Sequence, residues 1–282
     1  MSHKSKMWIT VMISILVCLI GLVSSFSVSL RYGMRDKAIE NLAEEWELSQ
    51  MQITKIASYM SMAEFLVIMV QNPQITAEGT KNVLDAEYTR DFVAKKLRDY
   101  RDDLLHDNGA GNVPFSEIVA LFREYEETIC QDLLYRIGDS DLETYEMFWD
   151  NLAITERSSL EYYRSDHRVL FALVRVILSG GFLVLSVLLI AGAGVGIWFL
   201  HGHSFRGFGT YGMVLAVVGI VDCTAAMLRD SMVSLVNLRI DMRSNLMTLL
   251  FTPICNMLLA AGVFFFLAGI LAILCRVFLK SK

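Results

Sequence analysis

The chain has 282 residues, of which 54% are hydrophobic and 20% are charged, and its formal net charge is −5. Residues 31–168 hold 27 acidic and 15 basic side chains, a net charge of −12, so the rest of the chain carries +7. This acidic segment argues against nucleic acid as a partner, because phosphate binding needs a basic surface. Cys130 is its only cysteine, which excludes a disulfide framework within it.

The first predicted element is an apolar stretch at residues 7–30, which carries no charge and follows a short basic head. A cleavable signal peptide is the rival interpretation, but the stretch is too long and has no convincing A-x-A cleavage site before Arg31. We therefore predict that residues 1–30 form the basic head and a retained first transmembrane helix.

Residues 31–168 have the pattern of amphipathic helices. Apolar residues from Ile39 to Val70 recur at alternating steps of three and four, a heptad stripe typical of a coiled coil, and Pro73 ends it. A second helix is predicted at residues 76–106, followed by a glycine-rich turn at 107–112.

A third helix is predicted from Phe115 to a C-terminal glycine, Gly138, and Ser140 and Glu143 can form a capping box for a fourth. The fourth helix should continue directly into the next apolar stretch. Four antiparallel helices would return the chain to the membrane face that it left, so we expect a four-helix-bundle-like soluble domain.

Three further transmembrane helices are predicted at residues 169–200, 211–228 and 253–278, and all three belong to a C-terminal membrane region at 169–282. The amphipathic connection at 229–252 should form a hairpin or lie flat at the membrane interface. The sequence thus predicts an all-α integral membrane protein with four transmembrane helices and a soluble helical domain between the first and second.

The orientation of the chain rests on its first segment. Counting Lys and Arg gives six on the face that holds both termini and eight on the face that holds the helical domain, which does not favour an external domain. However, Lys4 and Lys6 precede a stretch that is typical of a signal anchor, and the first helix usually sets the orientation. We expect both termini in the cytoplasm, an extracytoplasmic helical domain, and a location in the cell (plasma) membrane.

Polar residues within the predicted spans are the sharpest candidates for a site. Arg175, Asp222 and Asn256 would all lie in one leaflet, and intramembrane charges are normally paired or hydrated. We therefore expect an Arg175–Asp222 pair. It would either fix helix register or lie on an ion or proton path, and a single pair without a chain of acidic groups favours the structural role.

Gly192 and Gly196 form a small-xxx-small pair and are predicted to provide a helix-packing surface. His201 and His203 lack nearby ligands that would complete a metal site, and the acidic cluster around Asp103 is more typical of a solvated helix end. No catalytic motif is found in the sequence. We therefore predict no catalytic residues, no metal site, no cofactor and no enzymatic activity.

The sequence favours a non-enzymatic scaffold or sensor subunit that acts through its extracytoplasmic helical domain. A helical segment between two spans is similar in topology to the sensor half of bacterial chemoreceptors, although no motif is shared. The expected partners are the lipid bilayer and other membrane proteins or further copies of the chain, with no nucleic acid. The alternative is an oligomeric pore or transport component that uses intramembrane polar residues such as Asp222.

Overall fold

The computed structural model of the protein describes residues 3–53, 60–70, 72–202, 206–239, 242–243 and 245–280. These residues are almost entirely helical, as the sequence predicted. In chain order the helices are α1 (His3–Gly33), α2 (Asp36–Glu45), α3 (Met62–Val70), α4 (Ala77–Asp85), α5 (Glu87–His106), α6 (Phe115–Glu124), α7 (Glu126–Leu133), α8 (Asp139–Asn151), α9 (Ile154–Ser158), α10 (Leu160–Asp166), α11 (Arg168–Ile177), α12 (Gly180–Leu200), α13 (Arg206–Met227), α14 (Arg229–Arg239) and α15 (Leu246–Lys280).

The chain divides into two compact units. The first, called the apolar unit, comprises Met1–Gly33, Val176–Ser231 and Phe251–Lys282. The second, called the helical domain, comprises Met34–Arg175 and Met232–Leu250.

Four helices among the described residues are long and apolar enough to cross a membrane, which suggests a membrane protein. They are Ser5–Gly33, Gly180–Leu200, Gly207–Met227 and Leu246–Phe278. At about 1.5 Å per residue, even the shorter ones cover the roughly 30 Å of a hydrocarbon core. The chain therefore has the four apolar helices that the sequence predicted.

Helix α1 packs against both α12 and α13, and the start of α12 lies beside the end of α1. The Ser27 hydroxyl donates to the carbonyl oxygen of Ile177 at 2.7 Å, just before α12 begins. The chain leaves the apolar unit after Gly33 and enters it again at Val176.

The apolar stretch predicted as one span at residues 169–200 is divided by a break at Leu178 and Ser179. Ser179 has extended backbone angles, and its hydroxyl accepts a hydrogen bond from the Phe182 N–H at 3.1 Å. This capping bond ends α11 and starts a separate helix, α12. The predicted beginning of the second span at Val169 is therefore wrong by eleven residues, since the candidate span starts at Gly180.

The third and fourth candidate spans overlap the predicted ones but begin earlier. The third starts at Gly207 instead of residue 211, and the fourth starts at Leu246 instead of residue 253. Pro253, which the sequence analysis placed at the start of the last span, lies inside α15.

The helical domain is built around a core that joins α5, α6 and α7. Tyr88, Phe122, Ile129 and Leu133 are buried together, and Tyr88 stacks on Tyr125 with ring centroids 5.2 Å apart. A smaller cluster packs α2 against α5. Buried Lys96 adds a polar tie between α5 and α6 through its ion pair with Glu117 at 2.6 Å. The helices of this domain are shorter and more numerous than the four that the sequence predicted.

The heptad stripe from Ile39 to Val70 does not form one helix. Helix α2 ends at Glu45, a 3₁₀ helix covers Leu48–Gln50, strands β1 (Gln52–Ile53) and β2 (Met60–Ser61) follow, and α3 begins at Met62. Residues 54–59 of the stripe lie outside the described part of the chain. Because α2 buries Ile39 and Ala43 against Ala94 of α5, its apolar face has a partner within the domain and needs no coiled coil.

The other predicted helices are also divided. Ala86 has extended angles between α4 and α5, and Tyr125 separates α6 from α7. Helix α7 ends at Leu133, before Leu134 in a left-handed conformation, and not at Gly138. Gly138 instead caps α8 by donating its N–H to Asp141 at 2.8 Å. That bond replaces the predicted capping box. The fourth helix does not run on into the membrane region, because α8, α9, α10 and α11 are separate helices.

The connection at residues 229–252 contains α14 and strand β3 (Met242–Arg243), and most of it belongs to the helical domain. Strand β3 pairs antiparallel with β1, which also pairs with β2, so the order is β2-β1-β3. The Asn245 side chain adds a hydrogen bond to the carbonyl oxygen of Glu45 at 2.8 Å. The sequence analysis did not predict these two-residue strands.

Candidate functional site

A buried carboxylate, Asp103, organises the C-terminal end of α5. Its side chain is 1% exposed and accepts hydrogen bonds from the backbone N–H groups of Gly109 at 2.9 Å and Gly111 at 3.2 Å. Arg164 of α10 donates from Nη2 to the same carboxylate at 3.0 Å. One side chain therefore joins the helix end, the turn that follows it, and α10.

Asp107 lies about one helical turn after Asp103 and forms ion pairs with two arginines. It accepts from the Nη1 atoms of Arg164 and Arg175, the second at 3.2 Å, and Arg164 also pairs with Glu161 at 2.9 Å. Arg175 lies in α11, and its Nε also donates to the carbonyl oxygen of Leu104 at 3.4 Å. Both α10 and α11 are thus tied to the acidic end of α5.

The charges of this cluster stabilise one another. Burial alone would raise the pKa of Asp103, but the Gly109 N–H bond and the adjacent Arg164 outweigh burial and lower that pKa below its usual value. Burial likewise opposes the charge of Arg164, yet the Asp103 bond and the charges of Asp107 and Glu161 raise the net pKa of this guanidinium. Asp103 and Arg164 therefore both stay ionised near neutral pH.

An open cavity of about 370 Å³ lies beside the cluster. Three arginines, Arg164, Arg168 and Arg175, line it together with Asp107 and Glu161, and the side chains of Phe171 and Ala172 form its apolar wall. The Arg164 guanidinium lies 5.9 Å from the centroid of the Phe171 ring. This lining has a formal charge of +1 and presents guanidinium groups, which suit a phosphate or carboxylate group.

In the part of the chain that the structure describes, no group of three His, Cys, Asp or Glu side chains could hold a metal ion. His203 lies outside that part. The acidic residues around Asp103 bind arginines, and the chemistry that this arrangement supports is ionic binding.

Arg175 has a different acidic partner from the one that the sequence suggested. Its guanidinium binds Asp107 in place of Asp222. The break before α12 also places Arg175 ahead of the candidate span, which begins at Gly180. The expected pair of Arg175 with Asp222 is therefore not seen among the described residues.

Asp222 is 3% exposed on α13 and lies beside Ser25 of α1. Its Oδ2 atom has no hydrogen-bond partner among the described residues. Ser24 and Ser29, two other buried serines of α1, donate to backbone carbonyl oxygens of the same helix, Ser29 to that of Ser25. Asp222 is thus a buried acidic group within the apolar unit, whereas the third predicted residue, Asn256, is exposed on α15.

Gly192 and Gly196 lie on an open side of α12. A Cβ atom added to either glycine would have no atom of the described residues within 4 Å. The predicted packing surface is therefore not used inside the described part of the chain. Gly194 lies between them in sequence and packs against the ring of Tyr211, whose hydroxyl donates to the carbonyl oxygen of Ile190 at 2.8 Å.

Helices α13 and α15 of the apolar unit approach each other at four other glycines, which were not identified from the sequence. A Cβ atom on Gly212 would come within 2.5 Å of the Gly269 carbonyl oxygen, and one on Gly219 would come within 2.5 Å of the Gly262 carbonyl oxygen. Each helix contributes two glycines seven residues apart, a spacing that places both on one face. That spacing is the signal that could have identified them.

Arg164 and Arg168 were not identified from the sequence either. Spacings of four and seven residues between Arg164, Arg168 and Arg175 would have placed all three on one helical face.

Comparison with protein-family models, curated proteins and solved structures found no match to the chain.

Proposed function

We propose that this chain is a non-enzymatic integral membrane protein with four spans that acts as a scaffold or sensor subunit. In this proposal the helical domain is extracytoplasmic, both termini are cytoplasmic, and the location is the cell membrane. Four apolar helices support the spans, and the basic head at residues 1–6, which includes the first residues of α1, supports the orientation.

The observation that carries the sensor role is the attachment of α10 and α11 to the end of α5. Arg164 and Arg175 bind Asp103 and Asp107, and α12 begins three residues after α11 ends. A ligand or protein that moves the end of α5 would therefore also move the segment leading into the second span. Such coupling needs two arrangements of this segment, each favoured by a different ligand state.

The proposed partners are the lipid bilayer and other membrane proteins or further copies of this chain. The small-residue face at Gly192 and Gly196 supports helix contacts with another chain, because it has no neighbour among the described residues. The net charge of −12 over residues 31–168 supports protein partners over nucleic acid.

The second candidate is an oligomeric pore or transport component, which the buried Asp222 carboxylate favours. An ionisable group inside a membrane span is costly and often lies on an ion path. One oxygen of this carboxylate lacks a partner among the described residues, so it could bind an ion.

Ion flux through vesicles that contain the purified full-length chain tests the two proposals. For a scaffold or sensor, we expect no flux with either the wild type or Asp222→Asn, and unchanged self-association measured by chemical cross-linking. Flux through the wild type that Asp222→Asn abolishes would instead establish the pore. Asp139→Asn, an exposed acidic residue of the helical domain, is the matched control.

A further inference from the structure

Helix α11 has an exposed apolar face that no other described segment covers. Val169 is 85% exposed, Leu173 is 55% exposed and Val176 is 59% exposed. Their spacing of four and three residues places them on one side of the helix. An uncovered apolar face on a short helix is typical of a surface that binds another apolar phase.

The neighbouring face of α11 carries the positive charge. Arg168, Phe171, Ala172 and Arg175 share this face at helical spacing and line the cavity. Arg175 is paired with Asp107, but Arg168 has no acidic partner in the described part of the chain. A helix with one apolar face and a basic flank is typical of segments that lie in a membrane interface.

The acidic groups that face the cavity are Asp107 and Glu161. Glu161 binds Arg164, and Asp107 binds both Arg164 and Arg175. Arg168 therefore supplies the excess positive charge. The Arg164 side chain is only 10% exposed, so it is held in place beside the cavity before any ligand binds.

The position of α11 in the chain indicates what covers its apolar face. Helix α12 has 21 residues, enough to cross a hydrocarbon core of roughly 30 Å without any part of α11. Only Leu178 and Ser179 separate the two helices. If α12 is a membrane span, the C-terminal end of α11 must lie close to the membrane surface.

We propose that α11 lies in the membrane interface and that the cavity lined by Arg164, Arg168 and Arg175 binds the phosphate of an anionic phospholipid. This inference rests on the proposed membrane location of the chain. The apolar face enters the boundary between headgroups and acyl chains, while the arginines contact the headgroup phosphate. Guanidinium groups suit this role because they bind phosphate oxygens with paired, charge-assisted hydrogen bonds.

Lipid titration of the purified full-length chain in detergent micelles, followed by native mass spectrometry, tests the proposal. We expect tighter binding of phosphatidylglycerol than of phosphatidylcholine. Arg168→Gln should weaken phosphatidylglycerol binding by about fivefold and leave phosphatidylcholine binding unchanged. Arg136→Gln is the matched control, because Arg136 is an exposed arginine of the helical domain outside the cavity and should have no effect.

Leu173→Gln tests the apolar contact separately and should weaken the binding of both lipids. Free inorganic phosphate at millimolar concentration should not displace phosphatidylglycerol. Equal lipid binding by Arg168→Gln and the wild type would overturn the proposal. So would displacement by free phosphate, which indicates a soluble ligand, or a change of oligomeric state in Leu173→Gln without any change in lipid affinity, which indicates a second copy on this face.

These results are independent of the test of the proposed function. Ion flux decides between scaffold and pore, whereas lipid selectivity depends on Arg168 in either case. A conducting chain with an Arg168-dependent preference for phosphatidylglycerol would contradict the scaffold role and support the lipid site. A non-conducting chain without that preference would support the scaffold role and contradict the lipid site.

Discussion

Asp103 shows how much of the helical domain depends on a single side chain. Its carboxylate accepts hydrogen bonds from two backbone N–H groups and from Arg164, and it is almost fully buried. Removing one member of a buried ion pair leaves the other charge without compensation, which is much more costly than breaking a pair in solvent.

Asp103→Asn should therefore destabilise the protein by about 2 kcal/mol, because Arg164 would lose its most buried counter-charge and keep only Asp107 and Glu161. The measurement is thermal or denaturant unfolding of the full-length chain in detergent, followed by circular dichroism. Asp139→Asn removes an exposed partner of Arg123 and is the control, with little expected change. Equal stability of the two variants would contradict the role assigned to Asp103.

The pH dependence gives a second measure of the same contact. Because the pKa of Asp103 is lower in the folded chain than in the unfolded chain, its contribution to stability is fully present above about pH 4. That contribution is lost as pH falls through the folded-state pKa. The difference in melting temperature between the wild type and Asp103→Asn should therefore shrink below about pH 4.

Among the elements, α13 and α15 approach each other closely at glycine residues. Gly212 and Gly219 of α13 meet Gly269 and Gly262 of α15, at distances that leave no room for a methyl group. Small residues at such positions allow two backbones to approach, which is a main source of helix association in membranes.

Gly219→Ala should destabilise the apolar unit by roughly 1–3 kcal/mol, since the added methyl group would overlap backbone atoms of α15. Gly192→Ala is the matched control, because the same methyl group there has no described neighbour within 4 Å. Unfolding of the full-length variants in detergent gives the comparison. Equal loss of stability in both would contradict the contact between α13 and α15.

Local sequence patterns predicted the helices of this chain better than their ends. Predictions of helix at residues 76–106 and from Phe115 to Gly138 were correct in type over most of their length, but the breaks at Ala86 and Tyr125 were not predicted. Neither break lies at a glycine or a proline, the residues that most often indicate the end of a helix in a sequence. The heptad stripe failed for a different reason, since apolar spacing does not show which element covers the apolar face, and α2 packs against α5.

For the whole molecule, long uncharged stretches predicted the four apolar helices because their length and composition are decisive on their own. The ion-pair cluster could not be predicted in the same way. It joins Asp103 and Asp107 to Arg164 and Arg175, which lie far apart in the chain, and only the packing of α10 and α11 near α5 brings them together. Arg175 was identified from the sequence with Asp222 as its expected partner, whereas its partner is Asp107.

We propose that the helical domain lies on the outer side of a membrane that the four apolar helices span. Ser140→Cys places a thiol at an exposed position of this domain, whereas Cys130 is half-buried. The measurement is labelling of this variant with a membrane-impermeant maleimide in intact cells that express the full chain, compared with the wild type. We expect strong labelling in intact cells. Labelling only after permeabilisation would contradict the claim and place the domain in the cytoplasm.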